Sequence, residues 1–276
     1  MNNNVPKIYL LPNLMTAGNL FCGFAATRQI VRGALLQTTD PDAAAVLFHG
    51  AIWFILGACI FDVLDGRVAR LGGQDSAFGR EFDSLADIVS FGIAPTLLVY
   101  RIVLEEFQRT GWVVAFVYLL CGALRLARFN SIKANAPPPE DDKDFKGFPI
   151  PAAAGLIASL TLFMLWWFGE RDHDIGKWKW VLPPLMIFLS FMMFSHFRYP
   201  SFKAITWRST RSLPRFLAII VLLILTVLNY EWMPAVLFLA YLLYGLIRPW
   251  VSKTWRREIE QEVDDEPPAE PAEQSP

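Results

Sequence analysis

Cysteine is scarce in this sequence, and so is charge. Only three cysteines occur, Cys22, Cys59 and Cys121, each inside an apolar run. They form no CxxC pair, which excludes a disulfide framework and a thiolate metal site and leaves them as small apolar packing residues. Charged residues make up 18% of the chain and the formal net charge is −1, so no global field recruits nucleic acid, and no nucleic-acid motif is present. The stretch Met1 to Pro12 lacks a basic segment leading into an apolar core, which argues against a cleavable signal. No internal repeat appears. The histidines His49, His173 and His196 form no motif; His49 reads as a residue on an apolar face.

What is abundant is apolar sequence, 54% of 276 residues. The fraction alone fits a soluble domain, but its clustering does not. Apolar runs recur, each close to the roughly 20 residues that cross a bilayer. They predict an all-α polytopic membrane helical bundle of about eight transmembrane helices, near 13–33, 43–66, 82–104, 112–130, 149–168, 180–197, 214–230 and 233–248. The segment before them, 1–12, reads as cytoplasmic or interfacial. The stretch from Asn135 to Lys146, with Pro137-Pro138-Pro139, reads as a flexible loop. Residues 251–276 read as a cytoplasmic tail, acidic, proline-rich and disordered towards its end. Trp166, Trp167, Trp178 and Trp180 read as an interfacial belt. With both termini in the cytoplasm, eighteen of the 25 Lys and Arg fall on the cytoplasmic side and seven do not, which orients the bundle.

Two crossings are broken by acids. The chain reads Asp62-Val-Leu-Asp65-Gly66-Arg67-Val-Ala69-Arg70, then eight residues to Gly79, then Asp83 and Asp87. Asp62 and Asp65 are three apart and Asp83 and Asp87 four apart, so each pair shares a helix face. A short link around Gly72-Gly73 predicts a hairpin that lets the two faces meet. Four carboxylates in one place repel, and burying them unpaired is costly; protonation or a bound cation relieves this. An all-oxygen ligand set favours Mg²⁺ or Mn²⁺ over zinc, and two such ions would balance four charges. Paired divalent ions suit displacement at phosphorus. Gly66 and Gly79 permit close approach by a ligand, Ala69 extends that smooth surface, and Arg70 can grip a phosphate. One intramembrane acid could be a helix contact and one glycine simple packing. Eight such residues in one fixed pattern are poorly explained that way.

This pattern, Asp62-x-x-Asp65-Gly66-x-x-Ala69-Arg70-x8-Gly79-x3-Asp83-x3-Asp87, resembles the signature of the CDP-alcohol phosphatidyltransferase family at all eight positions. The resemblance implies a six-helix catalytic core over 13–200, with 201–250 as two additional transmembrane helices. It implies a homodimer in the membrane, with the site facing the cytoplasm, and suggests a bacterial inner membrane. It further implies Asp62, Asp65, Asp83 and Asp87 as metal ligands for two ions, Asp87 also as general base, and Gly66, Ala69, Arg70 and Gly79 as contacts to the CDP-linked lipid.

Four further segments resemble the serine-using branch of the family: Leu11-Pro12-Asn13-Leu14-Met15-Thr16 with Asn19 to Gly23, Arg125 to Asn130, Phe145 to Gly155, and Ser195 to Lys203. Ile150 departs from it, where a small residue is expected. The implied substrates are CDP-diacylglycerol and L-serine. Asn13, Thr16, Arg125, Arg128, Asn130, Lys146, Arg198 and Lys203 are the candidates for holding substrate, Arg128 foremost. For each basic residue the plainer alternative is a topology signal or contact with anionic membrane lipids. The rival readings are another acceptor (glycerol phosphate, an inositol phosphate or choline) and a cation transporter, which would not need Gly66, Ala69 and Gly79 at those spacings.

Overall fold

A computed structural model describes residues 10–71, 76–135, 144–169, 180–195, 197–200 and 213–251. Helix α1 spans Leu10–Leu36 and α2 Pro41–Leu71. A composite third element follows: α3 (Ala77–Asp87), a π-helical turn (Ile88–Ile93) and α4 (Ala94–Ile102). A 3₁₀ turn (Leu104–Phe107) leads into α5 (Gln108–Asn135). Then come β1 (Asp144–Lys146), α6 (Ile150–Gly169), α7 (Leu182–Phe194), β2 (Arg198–Pro200), α8 (Leu213–Leu228) and α9 (Met233–Val251). The architecture is an all-α membrane bundle.

Among the described residues four helical stretches are long and apolar enough to cross a membrane, Pro41–Val68, Ala77–Ile102, Leu104–Ser131 and Ile150–Trp167; Leu182–Phe194 and Met233–Arg248 are shorter apolar helices. Their outer faces carry exposed apolar side chains such as Ile60, Leu85, Phe116 and Phe191. In a bilayer these face acyl chains, so the hydrophobic effect does not drive the helices together and close packing of small residues does.

Helix α1 shows this best. Its buried stripe is Thr16, Asn19, Gly23, Ala26, Ile30 and Gly33, one residue per turn and nearly all small. It lies antiparallel to α2 at close range: a Cβ on Gly18 would sit 2.8 Å from the Phe61 ring, and one on Gly33 3.0 Å from Phe48. The same helix packs against α3, the π-helical turn and α4. The expected α2–α3 hairpin therefore has α1 running along both its arms; its tip, around Gly72-Gly73, lies outside the described residues.

Three features depart from the sequence reading. The third crossing is not one regular helix, because the π-helical turn begins directly after Asp87. The stretch read as a flexible loop from Asn135 to Lys146 ends in a strand: Phe145 pairs with Tyr199 and Lys146 with Arg198, antiparallel. Gly147 closes this strand at φ 76°, in the left-handed region that glycine tolerates. The α8–α9 turn comprises Asn229 to Trp232, so α8 stops at Leu228, two residues before its expected end.

Helix α9 is built into the bundle. Its Phe238 ring lies against Gly155 of α6, and its Gly245 lies against Tyr199 of β2. Phe148, Tyr199 and Tyr241 form a triangle of rings with centroids 5.0, 5.7 and 5.8 Å apart. Burial raises the proton affinity of the Tyr199 hydroxyl, which stays neutral within this aromatic cluster.

Candidate active site

The acidic residues lie at one end of the bundle, where α2 ends and α3 begins. Carboxylate oxygens of Asp62, Asp83 and Asp87 lie within 4.8 Å of one another. Asp62 comes from α2 and the other two from α3, so the two acidic faces do meet. Asp87 is 5% exposed and Asp65 8%. This oxygen-only cluster fits a hard divalent cation, which would supply charge neutralisation to the carboxylates and to a phosphate beside them.

Asp65 stands beside that trio and is engaged by α1. The Thr16 hydroxyl donates to its Oδ2 at 2.6 Å. One turn later on the same helix the Asn19 amide Nδ2 donates to Asp87 Oδ1 at 3.0 Å. The Ser90 hydroxyl, in the π-helical turn, donates to the Asn19 carbonyl at 2.9 Å. Asn19 and Ser90 are both fully buried. Gly23 lets α1 come this close, since a Cβ there would run into Ser90. A π-turn widens the helix locally, and here it sets Ser90 beside α1 just after an acid of the cluster.

Sequence reasoning missed Asn19 as a site residue, although it opens the Asn19 to Gly23 stretch that resembles the family. The available signal was its spacing of three from Thr16, which puts both on one face of α1. An Asn19→Ala variant loses the donor that fixes Asp87 Oδ1 and should retain the fold. For the phosphatidyl transfer that the resemblance implies, the expected result is a fall of about 10-fold in kcat with little change in the KM for the CDP-lipid, the cost of one charge-assisted hydrogen bond. Steady-state CMP release checks this, and an unchanged kcat refutes it.

The other candidates are distributed as follows. Gly66 is half-buried on α2. Gly79 lies in the first turn of α3, where its N–H donates to the Ser76 hydroxyl at 3.0 Å, and a Cβ there would lie 3.5 Å from Asn13 Oδ1. Asn13 thus stands beside the glycine, and its Nδ2 is buried with no hydrogen-bond partner among the described residues. Ala69 and Arg70 continue α2 in backbone only, and their side chains lie outside the described set. The same holds for Lys146 on β1 and Arg198 on β2, while Lys203 lies outside the described residues.

Arg125 and Arg128 part company. Arg128 is exposed on α5. Arg125 turns inward: its charge acts on both Asp62 and Asp87, and its Nε is buried without a hydrogen-bond partner among the described residues. The inward arginine is therefore not the one the sequence put foremost. Asn130 ties α5 to α3, donating to the Ser84 hydroxyl at 2.9 Å and to Glu81 Oε2 at 3.3 Å.

Four acids from two helices, aligned by a third, sit beside glycines at the membrane-spanning end of α2. The CDP-alcohol phosphatidyltransferase family model matches residues 9–194, more than half of the chain. The chain belongs to the CDP-alcohol phosphatidyltransferase family. It is therefore an integral membrane protein. A CDP-diacylglycerol–serine O-phosphatidyltransferase of Helicobacter pylori (strain J99) is 36% identical over 248 residues, 90% of this chain and 93% of that protein. A protein of the same name from Bacillus subtilis is 31% identical over 193 residues, 70% of this chain and 91% of its own. An archaetidylserine synthase of Methanothermobacter thermautotrophicus is 31% identical over 201 residues, 72% of this chain and 73% of its own. The match to the Helicobacter protein extends beyond the family region and over most of the chain.

Proposed function

We propose that this CDP-alcohol phosphatidyltransferase moves the phosphatidyl group of CDP-diacylglycerol to the hydroxyl of L-serine, giving phosphatidylserine and CMP. The carrying observation is the convergence of Asp62, Asp83 and Asp87 within one coordination sphere's reach. The acceptor is supported by the relatives' names, which differ in the lipid and agree on serine. A cation transporter would explain the acids but not the family match.

In this reading Asp62, Asp65, Asp83 and Asp87 hold Mg²⁺ or Mn²⁺, two ions for four charges, and the metal supplies neutralisation of the phosphate oxygens. Gly66, Ala69, Arg70 and Gly79 take the CDP moiety, with Asn13 beside Gly79. Asp87 removes the proton from the serine hydroxyl. The serine oxygen then bonds to the lipid-side phosphorus as the bond from that phosphorus to the CMP oxygen breaks. The proton rests on Asp87 and the negative charge leaves on CMP, so no covalent enzyme intermediate is needed. Asn19 engages Oδ1 of Asp87 and leaves Oδ2 as the oxygen available to the chemistry. The candidates for meeting serine's carboxylate are the basic residues Arg125, Arg128, Lys146, Arg198 and Lys203, with Thr16 and Asn130 as neighbouring polar groups. The catalytic core is placed at 13–200, the site towards the cytoplasm of a bacterial inner membrane, and the working form as a homodimer. The distribution of Lys and Arg supports the orientation.

The test is CMP release by purified protein with CDP-diacylglycerol and a panel of acceptors: serine, ethanolamine, glycerol phosphate, inositol phosphate and choline. Serine should be used best. Ethanolamine, which lacks the carboxylate, should fall behind by at least about 10-fold in kcat/KM, the value of a hydrogen bond to a charged group. Equal use of ethanolamine and serine refutes the acceptor assignment. Release of CMP only with another alcohol moves the enzyme to another branch of the family.

A further inference from the structure

The end of the bundle away from the acids holds a separate cavity of about 390 Å³. His49 and Trp53 of α2, Leu162, Leu165 and Trp166 of α6, and Tyr230 and Glu231 of the α8–α9 turn line it. His49 precedes Asp62 by thirteen residues on one helix, so the cavity lies roughly 20 Å from the acidic cluster. The Trp53 and Tyr230 rings approach to 5.7 Å between centroids at an angle of 49°, forming a corner rather than a stack. Each keeps much of its surface open, 44% for Trp53 and 46% for Tyr230, so the rings are available to a ligand. Among the described residues that line the cavity there is no lysine or arginine.

We infer that this cavity binds the ammonium group of a zwitterionic phospholipid headgroup from the leaflet at that end of the bundle. Aromatic faces carry negative potential and attract an organic cation, tryptophan most strongly. Glu231, half-buried in the lining, adds a carboxylate to the same space. An acyl chain in the cavity would meet Leu162 and Leu165 but would strip water from that carboxylate and give it no partner. An anionic headgroup would be repelled by it. Tryptophan and tyrosine collect at the depth of lipid headgroups, which sets the cavity mouth where an ammonium group resides. The volume lies within the range of small-ligand sites. None of these residues belongs to the acidic cluster or its neighbours, so this binding stands independently of the acceptor the enzyme uses.

The experiment uses the full chain in detergent. Native mass spectrometry compares retention of dioleoyl-phosphatidylethanolamine with that of dioleoyl-phosphatidylglycerol, which share acyl chains and differ in the ammonium group. Phosphatidylethanolamine should be held about 10-fold more tightly, the size of a partly desolvated cation–π contact aided by a carboxylate. Glu231→Gln and Trp53→Leu should each remove most of that preference while CMP release stays at the parent level, which also shows that both variants fold. Soluble glycerophosphoethanolamine should displace the lipid and glycerophosphoglycerol should not, which separates headgroup recognition from acyl contact. Equal retention of the two lipids by the parent overturns the inference. So does a preference that survives both substitutions, and so does equal displacement by the two soluble headgroups.

Discussion

An Asp87→Asn variant should bind the CDP-lipid and metal nearly as well as the parent and lose about 10² to 10⁴ in kcat, the usual range for removing a general base. The substitution keeps the size of the side chain and one oxygen to receive the Asn19 amide, but the new amide cannot take a proton at neutral pH. Asp65→Asn should behave differently. Asp65 accepts the Thr16 hydroxyl and lies outside the close trio, so its loss chiefly lowers the charge that retains a cation. Its activity should recover in part at high Mg²⁺, and that of Asp87→Asn should not. CMP release measured against Mg²⁺ concentration for both variants, with CDP-lipid binding followed separately, tells them apart. Rescue of Asp87→Asn with Asp65→Asn left inactive reverses the two roles. Equal rescue makes all four acids ligands and moves the base elsewhere.

Removing divalent metal should have the largest effect of all. Three carboxylates with oxygens inside 4.8 Å repel one another, and Arg125 offers one positive charge against them. A phosphate brought to that place adds further negative charge, which only a cation of high charge density offsets at such range. Chelation with EDTA should therefore reduce CMP release to background, and Mg²⁺ or Mn²⁺ should restore it. A direct readout is Mn²⁺ binding by the resting protein, followed by electron paramagnetic resonance, which Asp83→Ala should weaken. Full activity in thoroughly demetallated protein refutes the metal assignment, whatever the acceptor.

Both expectations rest on residues legible in the sequence, because spacing along a helix is local. Asp83 and Asp87 at a separation of four must share a face of α3, and Asp62 must lie near the end of a long apolar helix. Apolar runs located the helices for a similar reason, since a bilayer demands a nearly fixed length. The π-helical turn after Asp87 was not legible: Ile88-Val89-Ser90-Phe91-Gly92-Ile93 reads as ordinary apolar helix, and only the contact of Ser90 with Asn19 on another helix reveals its use. The roles of Arg125 and Arg128 could not be separated either. They are three apart on α5, and which one turns inward depends on how α5 rests against its neighbours.

The sequence by itself therefore determined the membrane bundle, the placing of its helices and the acidic motif, all of which follow from periodicity and composition within single segments. Tertiary structure decided the rest. It laid α1 between the two acidic helices, so that Thr16 took Asp65 and Asn19 took Asp87. It paired β1 with β2 and fastened them under α9 through Tyr199. It opened a cavity at the opposite end from residues more than a hundred positions apart in the chain. These contacts join segments distant in sequence, and they depend on how closely backbones approach where a glycine replaces a side chain, a quantity set by the partner helix as much as by the glycine itself.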